Sequence, residues 1–163
     1  MGGQSAEFMR ILAGAIYREM GARNFYKRIS GAIQNPEGKE KFRRLASDEE
    51  RHRVKLEGWY EKLFGTTFIA DRKEMAEAEI EGVHVGEKTG AMQALDIAIQ
   101  AELKAEDFYA NQAETVAQPE FKELLLKLST EEHGHYELLL AERNAMTGGF
   151  YWFDMDSSQF LED

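Results

Sequence analysis

Apolar residues recur every three or four positions along much of this chain, the spacing of helices that bury one face. Phe8, Leu12, Ala15, Ile16, Ala22, Phe25, Tyr26 and Ile29 mark a first helix over about residues 5–34. Leu95, Ala98, Ile99, Leu103, Phe108 and Tyr109 mark another over about 89–117, with Thr89 placed to cap it. Pro36 and Pro119, the only prolines, each follow an amide residue and precede Glu. Proline tolerates the first turn of a helix, Asn caps it, and an early Glu meets the positive end of the helix dipole. Each therefore opens a helix: about 36–64, ended before Gly65, and about 119–146, stopped by Gly148-Gly149. The tight connections make two antiparallel hairpins. A long crossover, 65–88, joins them, and Lys73 to Glu81 within it suits a short helix. The expectation is an all-α four-helix bundle in one domain over residues 1–163, with an aromatic tail at 147–163.

Some positions on the apolar stripes are polar. Glu19 sits among Ala15, Ile16 and Ala22, and Glu102 between Ile99 and Ala105. Glu49 follows Leu45 by one turn and His52 precedes Leu56 by one; Glu132 and His135 stand likewise between Leu128 and Leu139. A constant offset of 83 relates the two sets without a gap, and also pairs Phe25-Tyr26 with Phe108-Tyr109 and Pro36 with Pro119. Each half supplies one lone Glu and one Glu-x-x-His, whose members share a helix face. A single Glu-x-x-His is common on a solvent face; a duplicated one, each with its lone Glu, is far more specific. Four buried carboxylates would each cost several kcal/mol as bare ions. Two divalent cations would balance them, and a hydrogen-bonded network without metal is the alternative. Carboxylate and imidazole donors suit iron or manganese, and zinc can occupy such a site in purified protein.

Composition narrows the chemistry. There is no cysteine, so disulfides, thiolate nucleophiles and Cys-ligated iron are absent from the chain. The net charge of −10 disfavours nucleic acid as a partner. No apolar run approaches the ~20 residues of a membrane span, and the N-terminus lacks the pattern of a secretory signal, so a cytoplasmic location is expected. No phosphate-binding glycine loop and no Ser/His/Asp arrangement stands out.

With Glu19 and Phe25-Tyr26, Glu49-x-x-His52, Glu102 and Phe108-Tyr109, and Glu132-x-x-His135, the chain resembles the ferritin-like di-iron carboxylate proteins, and among them the bundle domain of the rubrerythrin group. The resemblance covers about residues 5–146. It implies two iron ions, with Glu49 and Glu132 bridging, Glu19 and Glu102 terminal, and His52 and His135 capping one iron each. It implies an oxidoreductase that reduces hydrogen peroxide, with O₂ reactivity also open. A ferroxidase serving iron storage or detoxification uses the same ligands and is the alternative; a non-enzymatic helical binding protein is a second. Rubrerythrins carry a further Glu three residues after the helix-borne one, where this chain has Ala105; Glu106, one residue on, reads either as its substitute or, more simply, as a solvent-facing acid. They also commonly carry a cysteine-rich rubredoxin module, absent here, so a separate electron donor such as a rubredoxin-type protein is expected. A homodimer is expected by the same analogy.

Other residues carry weaker signals. Tyr26 and Tyr109 lie on the ligand face and could hydrogen-bond the carboxylates or be ordinary core. His133 points about 100° from its neighbouring ligand and reads as surface. His84 reads as solvated, and Asp48 and Glu50 as exposed. Gly14, Gly21 and Gly31 cost helix propensity, either offset by close packing or neutral. The aromatic tail either packs back over the helices or meets a partner.

Overall fold

The computed structural model describes residues 2–78 and 88–148, and every regular element among them is a helix. The elements are α1 (Gly2–Ala32), α2 (Pro36–Phe64), α3 (Arg72–Ala78), α4 (Lys88–Thr115) and α5 (Pro119–Thr147). The four long helices are those expected. Thr89 lies inside α4 rather than capping it, because Lys88 is already helical. The short crossover helix begins one residue earlier than expected, and its stretch beyond Ala78 lies outside the described residues, as do His84 and the aromatic tail from 149 onward.

Two compact units make up the chain. One holds residues 1–31 and 39–82, the other 32–38 and 83–163. In the first, α1 buries Leu12, Ala15, Ile16, Phe25, Tyr26 and Ile29, and α2 buries Phe42, Leu45, Ala46, Leu56 and Tyr60. Tyr26 and Phe42 meet ring to ring across the two helices at 6.1 Å. Beyond α2, Phe68 closes over Tyr17 and Tyr60, at 5.2 and 5.4 Å between centroids. In the second unit α4 and α5 pack along their length. Ala91, Ala94, Leu95, Ala98 and Tyr109 of α4 are buried, as are Phe121, Leu125, Leu128, Leu139 and Met146 of α5. The buried positions step by three and four, so one stripe per helix faces inward.

Helix ends follow local chemistry. Asn35 caps α2: its Oδ1 accepts a hydrogen bond from the Gly38 N–H at 3.0 Å, while Pro36 fills the first position. Gln118 makes no such bond before Pro119, so the two proline starts differ. Gly65 ends α2 with φ of 68°, a conformation open to glycine, and its N–H bonds the Glu61 carbonyl. Asp71 Oδ1 accepts from the N–H groups of Lys73 and Glu74 and so starts α3.

Of Gly14, Gly21 and Gly31 in α1, only Gly21 answers to close packing. A Cβ on Gly21 would stand 2.2 Å from the Ala78 carbonyl oxygen, so the end of α3 lies directly on the α1 backbone. Gly31 has nothing within 4 Å, and Gly14 meets only the flexible tip of Arg18. Gly21→Ala should therefore destabilise the protein by about 1–3 kcal/mol, as overpacking does. Gly31→Ala should be neutral or stabilising by up to ~1 kcal/mol, since it adds helix propensity in open space. Urea unfolding of the two variants checks both.

Candidate metal centre

Each hairpin carries one ligand triad, and the two triads have the same internal geometry. In the first, Glu19 comes from α1 and Glu49 and His52 from α2, all three buried. His52 Nδ1 faces Glu49 Oε2 at 3.4 Å and Glu19 Oε2 at 3.6 Å. In the second, Glu102 comes from α4 and Glu132 and His135 from α5, again buried. His135 Nδ1 faces Glu132 Oε2 at 3.1 Å and Glu102 Oε2 at 3.7 Å. Within each triad the ligand atoms lie within 4.8 Å of one another. The same ring nitrogen meets two carboxylates in both halves. Leu45 and Leu56 flank the first pair on its helix, and Leu128 and Leu139 flank the second; all four are buried. The i, i+3 spacing thus places each carboxylate beside its imidazole while the apolar neighbours set the rotation of the helix.

The donor set fits divalent iron or manganese. Two carboxylates and one imidazole per triad are oxygen and nitrogen donors without sulfur, and each triad carries more negative charge than one imidazole can offset. The residues are almost fully dehydrated, with His52 0% and Glu49 1% exposed. Glu49 engages His52 through Oε2, and its Oε1 is buried without a hydrogen bond to that atom. Buried anionic oxygen in excess of its protein donors is what a cation stabilises.

Tyr26 and Tyr109 are both buried, at 1% and 2% exposure, and both take part in aromatic clusters: Tyr26 with Phe25 and Phe42, Tyr109 with Phe108. Their rings are part of the buried core of each hairpin. Sequence reasoning missed Glu142, a buried carboxylate of α5. Its signal was its spacing, seven residues after His135 and three after Leu139, on the ligand stripe; no partner helix in the repeat offered an equivalent, since Trp59 occupies that place.

Just outside the triads lies a second repeated feature that the sequence did not disclose. In the first hairpin Arg23 of α1 reaches Glu50 of α2 at 2.6 Å, and Arg53 holds both oxygens of the same carboxylate at 2.6 and 2.9 Å. Glu50 is therefore not simply exposed. The Arg53 hydrogen bonds, opposed by partial burial and helped by Arg23, keep its carboxyl at about 2 instead of 4.5. In the second hairpin Glu106 of α4 meets His133 Nδ1 of α5 at 3.1 Å, and Glu137 approaches the other ring nitrogen at 3.4 Å. The offset of 83 carries Arg23 onto Glu106 and Glu50 onto His133. Both hairpins are clamped at the same place, with the charges exchanged. Glu106 accordingly faces His133, and its backbone carbonyl accepts from Ser129 Oγ at 3.0 Å. Its side chain serves the helix-to-helix clamp rather than the place of an extra ligand. His133 is on the surface as expected, though not unpartnered.

The description "Rubrerythrin" belongs to the family model that matches residues 10–143, a span that contains both triads. The chain belongs to the rubrerythrin family. A solved structure titled as a hypothetical protein from Pyrococcus furiosus is similar to it, with 30% identity over 88% of this chain and 92% of that one, at a TM-score of 0.77. A search of curated proteins returned no match. Family membership identifies the four long helices as a ferritin-like bundle and the two Glu/His clusters as the motifs of a di-iron carboxylate centre. Among the described residues no helix is long and apolar enough to cross a membrane.

The second clamp has a defined pH signature. The Glu106 carboxylate, by hydrogen bond and charge, raises the His133 pKa above its ordinary 6.5. A raised folded-state pKa contributes stability that is fully present below 6.5 and is lost as pH rises through the folded value. Glu106→Gln should therefore lower the melting temperature of metal-free protein at mildly acidic pH and leave it unchanged at alkaline pH. Thermal melts of wild type and variant across that range test this, and a difference that persists at high pH would refute it.

Proposed function

We propose that this protein is a non-haem di-iron oxidoreductase that reduces hydrogen peroxide, with Glu19, Glu49, His52, Glu102, Glu132 and His135 as its metal ligands. One observation supports the reading above the rest: a buried triad of two carboxylates and one imidazole, built twice with the same atoms facing each other, in a chain of the rubrerythrin family.

The reaction takes two electrons and two protons to convert one peroxide into two waters. Two ferrous ions, when bound, supply the electron pair without releasing a one-electron product. The chain's residues do the rest. Four carboxylates hold the positive charge that remains after oxidation and disfavour loss of the ions. Each imidazole binds as the neutral base, so metal uptake releases any proton it held. The leucines around each triad limit the water that reaches it. Phe25, Tyr26, Phe42 and Tyr109 stiffen the helix faces from which the ligands project. The chain contains no cysteine, so the electrons return from an external donor, as is usual in this family.

Metal content decides between this reading and its rivals. Protein loaded anaerobically with ferrous iron should hold about two ions per chain, the complement of such a carboxylate bundle. The Glu49→Ala/Glu132→Ala variant should hold none. Far more iron per chain would point to storage, and none in wild type would remove the di-iron reading. The loaded protein should then consume one peroxide for each pair of ferrous ions in a single turnover, followed by the rise of ferric absorbance. The variant should show no such burst.

A further inference from the structure

A pocket of about 610 Å³ opens on the first hairpin, lined by Lys27, Ser30, Lys39, Arg43, Ser47 and Glu50 among others. Its size falls within the roughly 300–1,000 Å³ of small-molecule sites. Three of these residues are cations, drawn from both helices. Among the described residues none of Lys27, Lys39 and Arg43 has an ion pair, although the chain has 30 acidic residues against 20 basic ones. Their neighbours on α2 are engaged: Arg44 with Glu40, Arg51 with Asp48 and Arg53 with Glu50 and Glu57. The one carboxylate in the wall, Glu50, is already held by Arg23 and Arg53 and offers the three cations little.

Internal symmetry sharpens the point. The offset of 83 reproduces all three metal ligands of the first hairpin in the second. Applied to the pocket, it carries Lys27 onto Ala110, Ser30 onto Ala113, Arg43 onto Leu126 and Glu50 onto His133, and only Lys39 onto another lysine. The metal half-sites are duplicated and the cationic wall is not. It is a property of one hairpin, independent of the chemistry the two share.

We propose that this pocket binds the phosphate group of a small molecule. Lys27, Lys39 and Arg43 supply the charge, and the Ser47 hydroxyl a further donor. A phosphate dianion offers three acceptor oxygens, and an arginine fork can take two of them. Ser30 plays a supporting part: its buried hydroxyl donates to the Lys39 carbonyl at 3.3 Å and ties the end of α1 to the first turn of α2. The net charge of −10 does not forbid this. At physiological salt fields are screened beyond about 8 Å, so the three nearest cations outweigh distant carboxylates.

The test is a titration of metal-free, isotopically labelled protein with inorganic phosphate and, separately, with glycerol phosphate, followed by amide chemical shifts. Saturable shifts centred on Ser30, Lys39, Arg43 and Ser47 are expected. Lys39→Ala/Arg43→Ala should weaken binding about tenfold or more, as loss of two charge-assisted hydrogen bonds implies. Lys122→Ala, the equivalent change on the second hairpin, should leave it unaltered. Circular dichroism establishes that each variant is folded, and Lys27→Ala serves as an independent probe of the same wall. Tighter binding of glycerol phosphate than of phosphate would identify a phosphomonoester as the natural occupant, and the reverse order the free ion. Shifts that do not saturate, that scatter over the surface, or that survive Lys39→Ala/Arg43→Ala and Lys27→Ala alike would overturn the proposal.

Discussion

Everything in this fold is arranged around the burial of charge. Seven Glu and His side chains, five of them carboxylates once Glu142 is counted, occupy buried positions on helix faces among Leu and Ala. Such groups resist folding unless something compensates for their lost hydration. The helices supply geometry and apolar packing; the imidazoles supply part of the compensation within each hairpin. Cations supply the remainder in the proposed function. On that reading stability and activity are coupled at the same atoms, since the residues costly to bury without a cation are those that would hold it.

The helices that carry this burden are made rigid by ordinary means. Asn35 and Pro36 set the start of α2, Gly65 its end, and the Tyr26–Phe42 and Phe8–Phe64 ring contacts join α1 to α2 on either side of the triad. Gly21 admits the backbone of α3 onto α1. The cap contributes about 1 kcal/mol, modest beside the cost of the buried carboxylates, and together these features fix the rotation of each helix. A rotation error of one residue, about 100°, would turn Glu49 toward solvent and dissolve the triad.

Much of this was legible in the sequence because it rests on periodicity, which local spacing reports directly. The four long helices, their proline starts and the six inward-facing Glu and His residues all follow from residues three and four apart and from one repeated offset. What escaped was information that spacing does not carry. The partners of Glu50 and Glu106 depend on how two helices are turned against each other, so both looked like solvent-facing acids. Gly21 and Gly31 are alike along the chain and differ only in what stands opposite. Glu142 was passed over because no duplicate marked it, and Thr89, read as a cap, stands one residue inside a helix that already includes Lys88.

The exchanged clamps bear on how a duplicated chain assembles correctly. Two hairpins with matching ligands and matching apolar stripes invite mistaken partnership, in which α1 lies along α5 and α4 along α2. In that arrangement the offset would set Glu106 against Glu50, like charge facing like, and Arg23 against His133, which repels it whenever the imidazole is protonated. The correct pairing sets opposite charges together at both. A pair of surface contacts, each weak alone, therefore distinguishes two halves that the repeated Glu and His residues make alike.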